Sequence, residues 1–335
     1  MLRVPYNELA DTLSRVLAGL GFESSRAHLC AELFAGASRD GVSSHGLNRF
    51  PRFVAMIQRG IIDIHAVPEL AQSCRALERW NGKRGPGNLN AYACMSRAIA
   101  LSRQHGIACV ALANTNHWMR GGSYGWQAAD AGAIGICWTN TLPNLPPWGA
   151  SDVRVGNNPL VIAVPRPAGH VVLDMAMSQF SYGSLASYRV RGDQLPVDGG
   201  FDEAGRLTRD PAAVEKSQRP LPIGFWKGSG LALMLDLIAA TLSGGLATHQ
   251  IVADPDRETD LSQAFIAIDP SRLGRRLDLG EIADQIVEHV QVSQRTRERV
   301  RYPGERVLEE RKKNLAEGVP VDPEIWQKVR SFLAA

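Results

Sequence analysis

Four short apolar runs in the middle of the chain constrain its fold more than any other feature. They are IACVALAN (107–114), AIGICWTN (133–140), LVIAVP (160–165) and HVVLDMA (170–176). Helical patterns at residues 89–104 and 122–132 precede the first two runs. Strands made almost wholly of apolar residues are buried on both faces of a sheet, so helices must cover both sides of it. The sequence therefore predicts an α/β fold.

Helical patterns also occupy the first 60 residues of the chain. Apolar residues recur at helical spacing in two stretches, residues 9–20 and 27–34. A third helix is expected to begin at the segment SSHGLNRF (43–50) and to end at Gly60. The serines at its start would satisfy free backbone N–H groups.

The second half of the chain predicts one long connection and three helices. Residues 190–228 are rich in glycine, proline and charge, which favours a long ordered loop. The stretch 229–243 is strongly apolar and predicts a helix. Two more helices are expected in the tail, one after Gly304 and one capped by Asp322.

The length of 335 residues is more than one minimal domain needs. We predict a helical part formed by residues 1–75 together with residues 300–335. It would pack against an α/β domain formed by residues 76–299, with the substrate site at the junction of the two.

Charge and cysteine content indicate which partners and which cellular location to expect. The net charge is +3, from 37 basic and 34 acidic residues, and the densest basic run, RTRERVR (295–301), predicts a solvated surface. Nucleic acid is therefore not an expected partner. The five cysteines show no CxxC spacing, which favours a reduced, cytoplasmic setting. The sequence shows no N-terminal signal pattern and no apolar run of about 18 residues, so no membrane contact is expected.

The segment SSHGLNRF contains the first candidate site. His45 and Arg49 are four residues apart, so a helix would place both side chains on one face. Both the positive end of that helix and the arginine are expected to lower the pKa of His45. Two interpretations stay open from these residues alone. His45 is either a polar surface residue or a proton donor to a carbonyl oxygen, with Arg49 binding a substrate carboxylate.

The segment NTNHWMRGGSYG (114–125) contains the second candidate site. His117 is expected where a buried strand ends and a helix begins, which is the edge of an α/β sheet where ligands collect. A histidine that only completes a turn is the alternative. Taken together, two histidines and an arginine suit the reduction of an anionic carbonyl compound.

Several other chemistries are not supported by the sequence. It contains neither HxH nor HExxH, and no Cys/His pair at ligand spacing, so no metal site is expected. The absence of GxSxG argues against a serine hydrolase. Neither GxGxxG nor a Walker A motif is present, which on its own would argue against a nicotinamide enzyme.

Six segments, in order along the chain, resemble one family. They are SSHGLNRF, NHWMRGGSYGW, VGNNPL, VVLDMAMS, FWKGSGLAL and YPGER. Together they resemble the malate/L-lactate dehydrogenase type 2 family, which is similar to sulfolactate and ureidoglycolate dehydrogenases. The resemblance implies a non-Rossmann NAD(P)-binding sheet domain of the L-sulfolactate dehydrogenase kind, which accounts for the missing glycine motif. It also implies NAD(H) as the cofactor, with NADP(H) as the alternative, and a homodimer with the cofactor close to the subunit interface.

The resemblance also implies roles for individual residues. His45 would donate the proton to the reduced carbonyl, while Ser44 and Arg49 would bind the substrate, with Arg49 on its carboxylate. His117 would contact the substrate, and in some relatives the matching histidine is the acid/base. The cofactor-binding residues would form three segments: His170, Val171, Val172, Leu173, Asp174, Met175 and Ala176; Trp226 and Lys227; and Gly304, Glu305 and Arg306.

The expected reaction is the transfer of hydride from NADH to the 2-oxo carbon of an open-chain, sugar-derived acid. One alternative is another 2-oxo or 2-hydroxy acid, such as malate, lactate, ureidoglycolate or a cyclic imine acid. The other is a catalytically silent protein that still binds the cofactor. For Asp174, a purely structural role at the end of a strand is also open.

Overall fold

The computed structural model describes residues 2–274, 279–293 and 299–333. Its strands are β1 (Leu2–Val4), β2 (Glu69–Cys74), β3 (Leu77–Asn81), β4 (Ile107–Thr115), β5 (Ile134–Thr139), β6 (Pro143–Leu145), β7 (Val155–Gly156), β8 (Leu160–Val164), β9 (Val171–Met175), β10 (Gly200–Phe201), β11 (Leu207–Thr208), β12 (Leu261–Ile268) and β13 (Val319–Val321). Its α-helices are α1 (Tyr6–Gly19), α2 (Ser24–Arg39), α3 (Phe50–Gln58), α4 (Gly87–His105), α5 (Gly122–Asp130), α6 (Tyr182–Arg191), α7 (Pro211–Ser217), α8 (Trp226–Ser243), α9 (Leu279–Gln291), α10 (Glu305–Glu317) and α11 (Pro323–Ser331).

A seven-stranded mixed sheet, in the order β2-β3-β4-β12-β5-β8-β9, forms the centre of the molecule. The four apolar runs predicted as strands are β4, β5, β8 and β9. Only β3 and β4 are parallel, and every other neighbouring pair is antiparallel. Strand β12 lies between β4 and β5, although it follows them by more than a hundred residues.

Helices cover both faces of the sheet, and the alternation of side chains along β12 shows how. Phe265 and Ala267 pack in one apolar core with residues of α4 and α5. Ala264 and Ile266, which alternate with them along the strand, pack in another core with residues of α8. Because successive residues of a strand point to opposite faces, α4 and α5 lie on one side of the sheet and α8 lies on the other. The α/β fold predicted from the apolar runs is confirmed.

A third apolar core holds the helices from the two ends of the chain together. Residues of α1, α2 and α3 pack in it with Val319, Val321, Trp326 and Val329 from the C-terminal segment. Strand β1 pairs with β13, which fixes the two chain ends to each other. Strand β2 lies inside residues 1–75 and pairs with β3 in the central sheet. The division of the chain into a helical part and an α/β domain remains a prediction.

The prediction of a long loop for residues 190–228 is wrong. This region contains β10, β11 and α7, together with the end of α6 and the start of α8. Residues 178–222, which include α6, β10, β11 and α7, form an excursion around a small core of Leu185, Leu195 and Val214. The three apolar residues of this core are too few and too widely spaced to produce a periodic pattern. The sequence therefore did not reveal these short elements. The helix predicted at 229–243 begins three residues earlier, at Trp226.

Two other expectations concern the surface. None of the helices in the described residues is both long enough and apolar enough to cross a bilayer. In the basic run 295–301, residues 295–298 lie outside the described part of the chain. Arg299 and Arg301 both form ion pairs with carboxylates at the start of α10.

Candidate active site

The segment that contains His45 is not the single helix predicted from the sequence. Two 3-10 turns, Ser43–His45 and Leu47–Arg49, precede α3, so His45 and Arg49 do not share one helical face. Gly46 interrupts the chain between the turns and lies against α2. A Cβ at Gly46 would lie 2.2 Å from the Ser38 Oγ and 2.7 Å from the Ser38 backbone nitrogen. The Ser38 hydroxyl also accepts a hydrogen bond of 2.8 Å from the Leu47 N–H.

His117 follows β4 by two residues, at the sheet edge where the sequence predicted it. Its ring stacks on the ring of His45, with 5.7 Å between the centroids and 22° between the planes. The structure therefore brings the two candidate segments together, although helix α3, strands β2 to β4 and helix α4 separate them in the sequence. Ser44 Oγ lies 3.0 Å from the Nδ1 of His45.

Both histidines are neutral near pH 7. Desolvation lowers the pKa of His45 to about 4, and the charges of Arg49 and Arg120 add to this effect. Desolvation also lowers the pKa of His117 well below its usual value, again with a contribution from Arg49. The lowered pKa of His45 agrees with the expectation from the sequence, but desolvation, rather than a helix end, is its largest cause.

The hydrogen bonds of the two imidazole rings determine which ring nitrogen can carry a proton. The Met119 N–H donates to the Nδ1 of His117 at 3.0 Å, so the neutral ring carries its proton on Nε2. His117 is therefore a hydrogen-bond donor at its free nitrogen. The Nδ1 of His45 faces a serine hydroxyl, which both donates and accepts, so His45 can hold its proton on either nitrogen. Only His45 is equipped to exchange a proton without breaking a bond to the backbone.

Arg49 is half-buried and has a carboxylate partner that the sequence analysis missed. Its Nη2 lies 3.2 Å from the Oε2 of Glu258, which is 5% exposed. Burial raises the pKa of the Glu258 carboxyl above its usual value, although Arg49 opposes this shift. Arg52 forms a second ion pair with the neighbouring loop, to Asp256 at 3.1 Å. The arginine predicted to bind a carboxylate is thus held in place by a buried carboxylate of the protein.

The structure also shows a cluster of ion pairs around Asp40, one of whose arginines, Arg120, acts on His45. The carboxylate of Asp40, which is 3% exposed, accepts hydrogen bonds from Arg39, Arg120 and Arg311. Burial alone would raise the pKa of Asp40, but the hydrogen bonds from Arg311 and Arg39 and the charge of Arg120 hold it well below its usual value. The sequence around Asp40 contains no motif that singled this residue out.

The first predicted cofactor segment, His170 to Ala176, contains β9, which is the outermost strand at its end of the sheet. Asp174 accepts a hydrogen bond of 2.9 Å from the Gly122 N–H at the start of α5. Asp174 is exposed, so its carboxylate is accessible from solvent. The carboxylate therefore has a backbone partner, and its role at the cofactor site remains a prediction beside a purely structural role.

The other two predicted cofactor segments lie at the two ends of β9. The Val172 N–H donates to the Pro303 carbonyl at 2.9 Å, which places Gly304 beside the start of the strand. At the far end, the Ile223 N–H donates to the Met177 carbonyl at 2.8 Å, shortly before Trp226 and Lys227 begin α8. The structure thus brings all three segments to the same edge of the sheet.

The side chains of these segments differ in their surroundings. Trp226, Lys227 and Arg306 are exposed. His170 is engaged within the protein, since its Nδ1 accepts from the Arg166 N–H and its Nε2 lies 3.0 Å from Asp130. Glu305 is 9% exposed, and its Oε1 accepts from Gln291 and Arg299. A ligand along β9 would therefore meet the backbone of these two residues rather than their side chains.

The chemistry of this edge fits a dinucleotide. The exposed cations Lys227 and Arg306 lie near opposite ends of an extended strand, and Lys227 is in the first turn of a helix, where an anion is favoured. In the part of the chain that the structure describes, no group of three His, Cys, Asp or Glu residues could hold a metal ion.

The excursion 178–222 approaches the segment that contains Ser44 and His45. A Cβ at Gly183, in the first turn of α6, would lie 3.3 Å from the Oγ of Ser44. The start of α6 therefore closely approaches the segment that contains His45.

Comparison of folds defines the class of the protein. The structure matches sulfolactate dehydrogenase from Methanocaldococcus jannaschii with a TM-score of 0.92, covering 99% of this chain and 97% of that chain at 25% identity. It matches delta1-piperideine-2-carboxylate reductase from Pseudomonas syringae pvar. tomato with a TM-score of 0.88, covering 99% of this chain and 100% of that chain at 28% identity. The fold is that of a group of dehydrogenases and reductases.

Comparison of sequences defines the family. The family model for malate/L-lactate dehydrogenase matches residues 4–330. The 2,3-diketo-L-gulonate reductases of Escherichia coli O139:H28 (strain E24377A / ETEC) and of Shigella flexneri are each 45% identical to the chain over 333 residues, which is 99% of this chain and 100% of theirs. The chain is an oxidoreductase that belongs to the malate/L-lactate dehydrogenase family, as the six segments predicted.

Proposed function

We propose that the protein reduces 2,3-diketo-L-gulonate to 3-keto-L-gulonate with NADH, and that NADPH is the alternative cofactor. The observation that carries the proposal is the 45% identity to 2,3-diketo-L-gulonate reductases over the full length of both chains. The placement of His45, His117 and Arg49 supports it, because these groups suit an anionic carbonyl substrate. We propose the cytoplasm as the location, in agreement with the reduced cysteines.

The chain's own residues supply binding and the proton. The Arg49 guanidinium binds the substrate carboxylate while Glu258 holds it from the other side. The Nε2–H of His117 donates a hydrogen bond to the carbonyl oxygen, and His45 gives its proton to that oxygen as it becomes an alkoxide. A carboxylate bound at Arg49 offsets one of the cationic charges that lower the pKa of His45, so substrate binding favours the protonated acid. When bound, the nicotinamide supplies the hydride to the 2-oxo carbon.

For the cofactor we propose the edge of the sheet at β9. Residues His170 to Ala176 would contact it along the strand, Lys227 would pair with phosphate next to Trp226, and Gly304 to Arg306 would contact the other end. The hydrogen bonds that join these segments to β9 support this proposal.

Two alternatives remain for the activity. Reduction of another 2-oxo acid or of a cyclic imine acid is supported by the fold shared with sulfolactate dehydrogenase and delta1-piperideine-2-carboxylate reductase. A silent cofactor-binding protein is disfavoured because His45, His117 and Arg49 are all present and in place.

Steady-state kinetics with NADH and NADPH test the proposed function. We expect the highest kcat/KM with 2,3-diketo-L-gulonate and NADH, above the values for pyruvate and oxaloacetate. A preference for pyruvate or oxaloacetate would replace the proposed substrate. Absence of turnover with the whole panel, together with tight NADH binding, would favour the silent protein.

Replacement of the proton donor gives the next prediction. His45→Gln should lower kcat by about 10² to 10⁴, the usual contribution of general acid catalysis, and leave NADH affinity unchanged. His117→Gln is the matched control, and it should raise KM more than it lowers kcat because His117 only donates a hydrogen bond. Rapid-mixing kinetics and fluorescence titration measure the two effects. A kcat of His45→Gln within threefold of wild type would move the proton donor to His117.

Arg49→Lys tests the substrate contact without removing the charge. Guanidinium offers two parallel donors to a carboxylate, whereas ammonium is a point charge on a flexible stem. We expect kcat/KM for the carboxylate substrate to fall about tenfold or more, since small misplacements of the reacting carbon are costly. The loss should be much smaller for an uncharged dicarbonyl compound. Equal losses for both compounds would show that the carboxylate binds elsewhere.

We also propose a homodimer formed through α8. The helix turns a stripe of mostly small residues toward the sheet: Gly228, Ala232, Leu235, Ala239 and Ser243. Its other faces expose large apolar residues: Leu231, Leu233, Met234, Leu237 and Ile238. A continuous apolar surface of this kind is typical of an interface between subunits. Lys227 begins this helix, so the interface would lie beside the proposed cofactor site.

Charge on this surface should separate the subunits. We expect the double variant Leu233→Arg and Leu237→Arg to sediment as a monomer in analytical ultracentrifugation, while the wild type sediments as a dimer. Leu207→Arg is the control, because that leucine is equally exposed but lies in the excursion. A dimer that persists in the double variant would show that another surface forms the interface.

A further inference from the structure

The buried ion cluster at Asp40 connects the two histidine segments. Arg120 Nη1 donates to the Oδ2 of Asp40 at 2.5 Å, and the side chains of these two residues are 4% and 2% exposed. Arg39 donates to the same carboxylate at 2.8 Å. Arg311, from α10, adds two bonds of 2.8 and 2.7 Å. One carboxylate therefore receives bonds from three parts of the chain.

Asp40 and Arg120 lie close in sequence to the two histidines of the site. Asp40 ends α2 and lies five residues before His45. Arg120 lies three residues after His117 and just before α5. The Asp40–Arg120 pair is thus a direct bond between the segment that presents one histidine and the segment that presents the other. Within each segment the intervening chain is short and bent, so a shift of either end moves its histidine.

We propose that Asp40 is a positioning residue that holds His45 and His117 at their mutual distance through Arg120 and offsets the charge that Arg120 places near His45. The proposal rests on the function assigned above to the two histidines. Arg120 is almost fully buried, so without Asp40 its guanidinium would lose its salt bridge and keep only the more distant charge of Asp174, and proteins avoid a poorly paired buried charge by rearranging. The rearrangement would displace the loop of His117.

Arg39 and Arg311 do not share this role. Their side chains are 22% and 23% exposed, so water can solvate them if Asp40 is lost. Arg311 belongs to neither segment that presents a histidine, and Arg39 lies next to Asp40 in the same segment, so neither bond joins the two segments. Arg311 also packs over the ring of Trp126, with its Cζ 4.5 Å from the ring centroid. Removal of Arg311 therefore weakens the cluster but leaves the Asp40–Arg120 bond in place.

The charges around the two groups fix the sign of the expected pH effects. The cations that act on His45 are Arg49 and Arg120, and His117 lies against its ring. Asp40 faces Arg39, Arg120 and Arg311, with the Tyr6 hydroxyl group also near it, and Asp174 of β9 is a second carboxylate that acts on Arg120. If Asp40 becomes neutral, less of the charge of Arg120 is offset and the pKa of His45 falls further. If Arg120 becomes neutral, the pKa of His45 rises.

Three variants of the full-length enzyme test the proposal: Asp40→Asn, Arg120→Gln and, as control, Arg311→Gln. We expect Asp40→Asn and Arg120→Gln each to lower kcat about tenfold or more, because misplaced catalytic groups are costly, with little change in NADH affinity. Arg311→Gln should lower the melting temperature but keep kcat within about twofold of wild type. The effects of Asp40→Asn and Arg120→Gln on kcat should not add in the double variant, because both break one bond.

The pH dependence separates positioning from general stabilisation. Reduction needs protonated His45, so kcat/KM falls as the pH rises through the pKa of that residue. We expect this fall to move to lower pH, by about half a unit, in Asp40→Asn and to higher pH in Arg120→Gln. Opposite shifts in two variants that both lose kcat are not expected from a structural defect. Equal kcat in Asp40→Asn and Arg311→Gln, with no shift, would overturn the proposal.

A measurement that needs no substrate distinguishes failure of this proposal from failure of the proposed function. The C2–H resonance of His45, assigned with His45→Gln, reports its titration by NMR in the absence of substrate. The same opposite shifts are expected there, even if the true substrate is a different acid. If Asp40→Asn does not fold, Arg120→Gln tests the pair from the other side, since Asp40 then retains Arg39 and Arg311. Unchanged titration of His45 in Arg120→Gln would overturn the proposal.

Discussion

The antiparallel insertion of β12 between β4 and β5 is the constraint on which the structure depends. Strands β4 and β5 do not pair with each other, and each instead takes its hydrogen bonds from β12. Phe265 of this strand is fully buried and packs edge-on against Trp118 and Tyr124. Because Trp118 and Tyr124 flank the glycines that lead into α5, the loop of His117 acquires its shape only when the distant strand is in place. Chain segments more than a hundred residues apart must meet before a site exists.

The electrostatics of the site follow from that packing. Two histidines, two arginines and two carboxylates from distant parts of the chain meet at the site, and the largest influence on the histidine pKa values is loss of water. Two of the arginines that act on the histidines are paired with a buried carboxylate, Arg49 with Glu258 and Arg120 with Asp40. Unpaired, either cation would cost several kcal/mol to bury. The paired arrangement keeps positive charge available to an anionic substrate and leaves both imidazoles neutral.

Much of the fold could be predicted from the sequence, because β4, β5, β8 and β9 are each a continuous apolar run and most helices carry a clear apolar stripe. The position of β12 could not, since periodicity does not encode which strands pair. The motif around His45 was interpreted as one helix because the serines resemble a cap. The close approach of Gly46 to Ser38 decides otherwise, and such a tertiary contact leaves no local signal. Asp40, Arg120 and Glu258 were missed for a related reason, because a charged residue acquires its partner only through the fold.

The excursion 178–222 begins and ends at neighbouring residues, since Met177 and Ile223 are joined by a backbone hydrogen bond. It has its own small core and contributes no strand to the central sheet. Its first helix nevertheless approaches Ser44, beside the proton donor. A unit attached in this way is modular: it can be shortened, lengthened or exchanged between relatives at a closed pair of ends, without disturbing the sheet. One scaffold can thereby acquire a different wall above an unchanged pair of histidines, which offers a simple route for a family to diversify the acids it accepts.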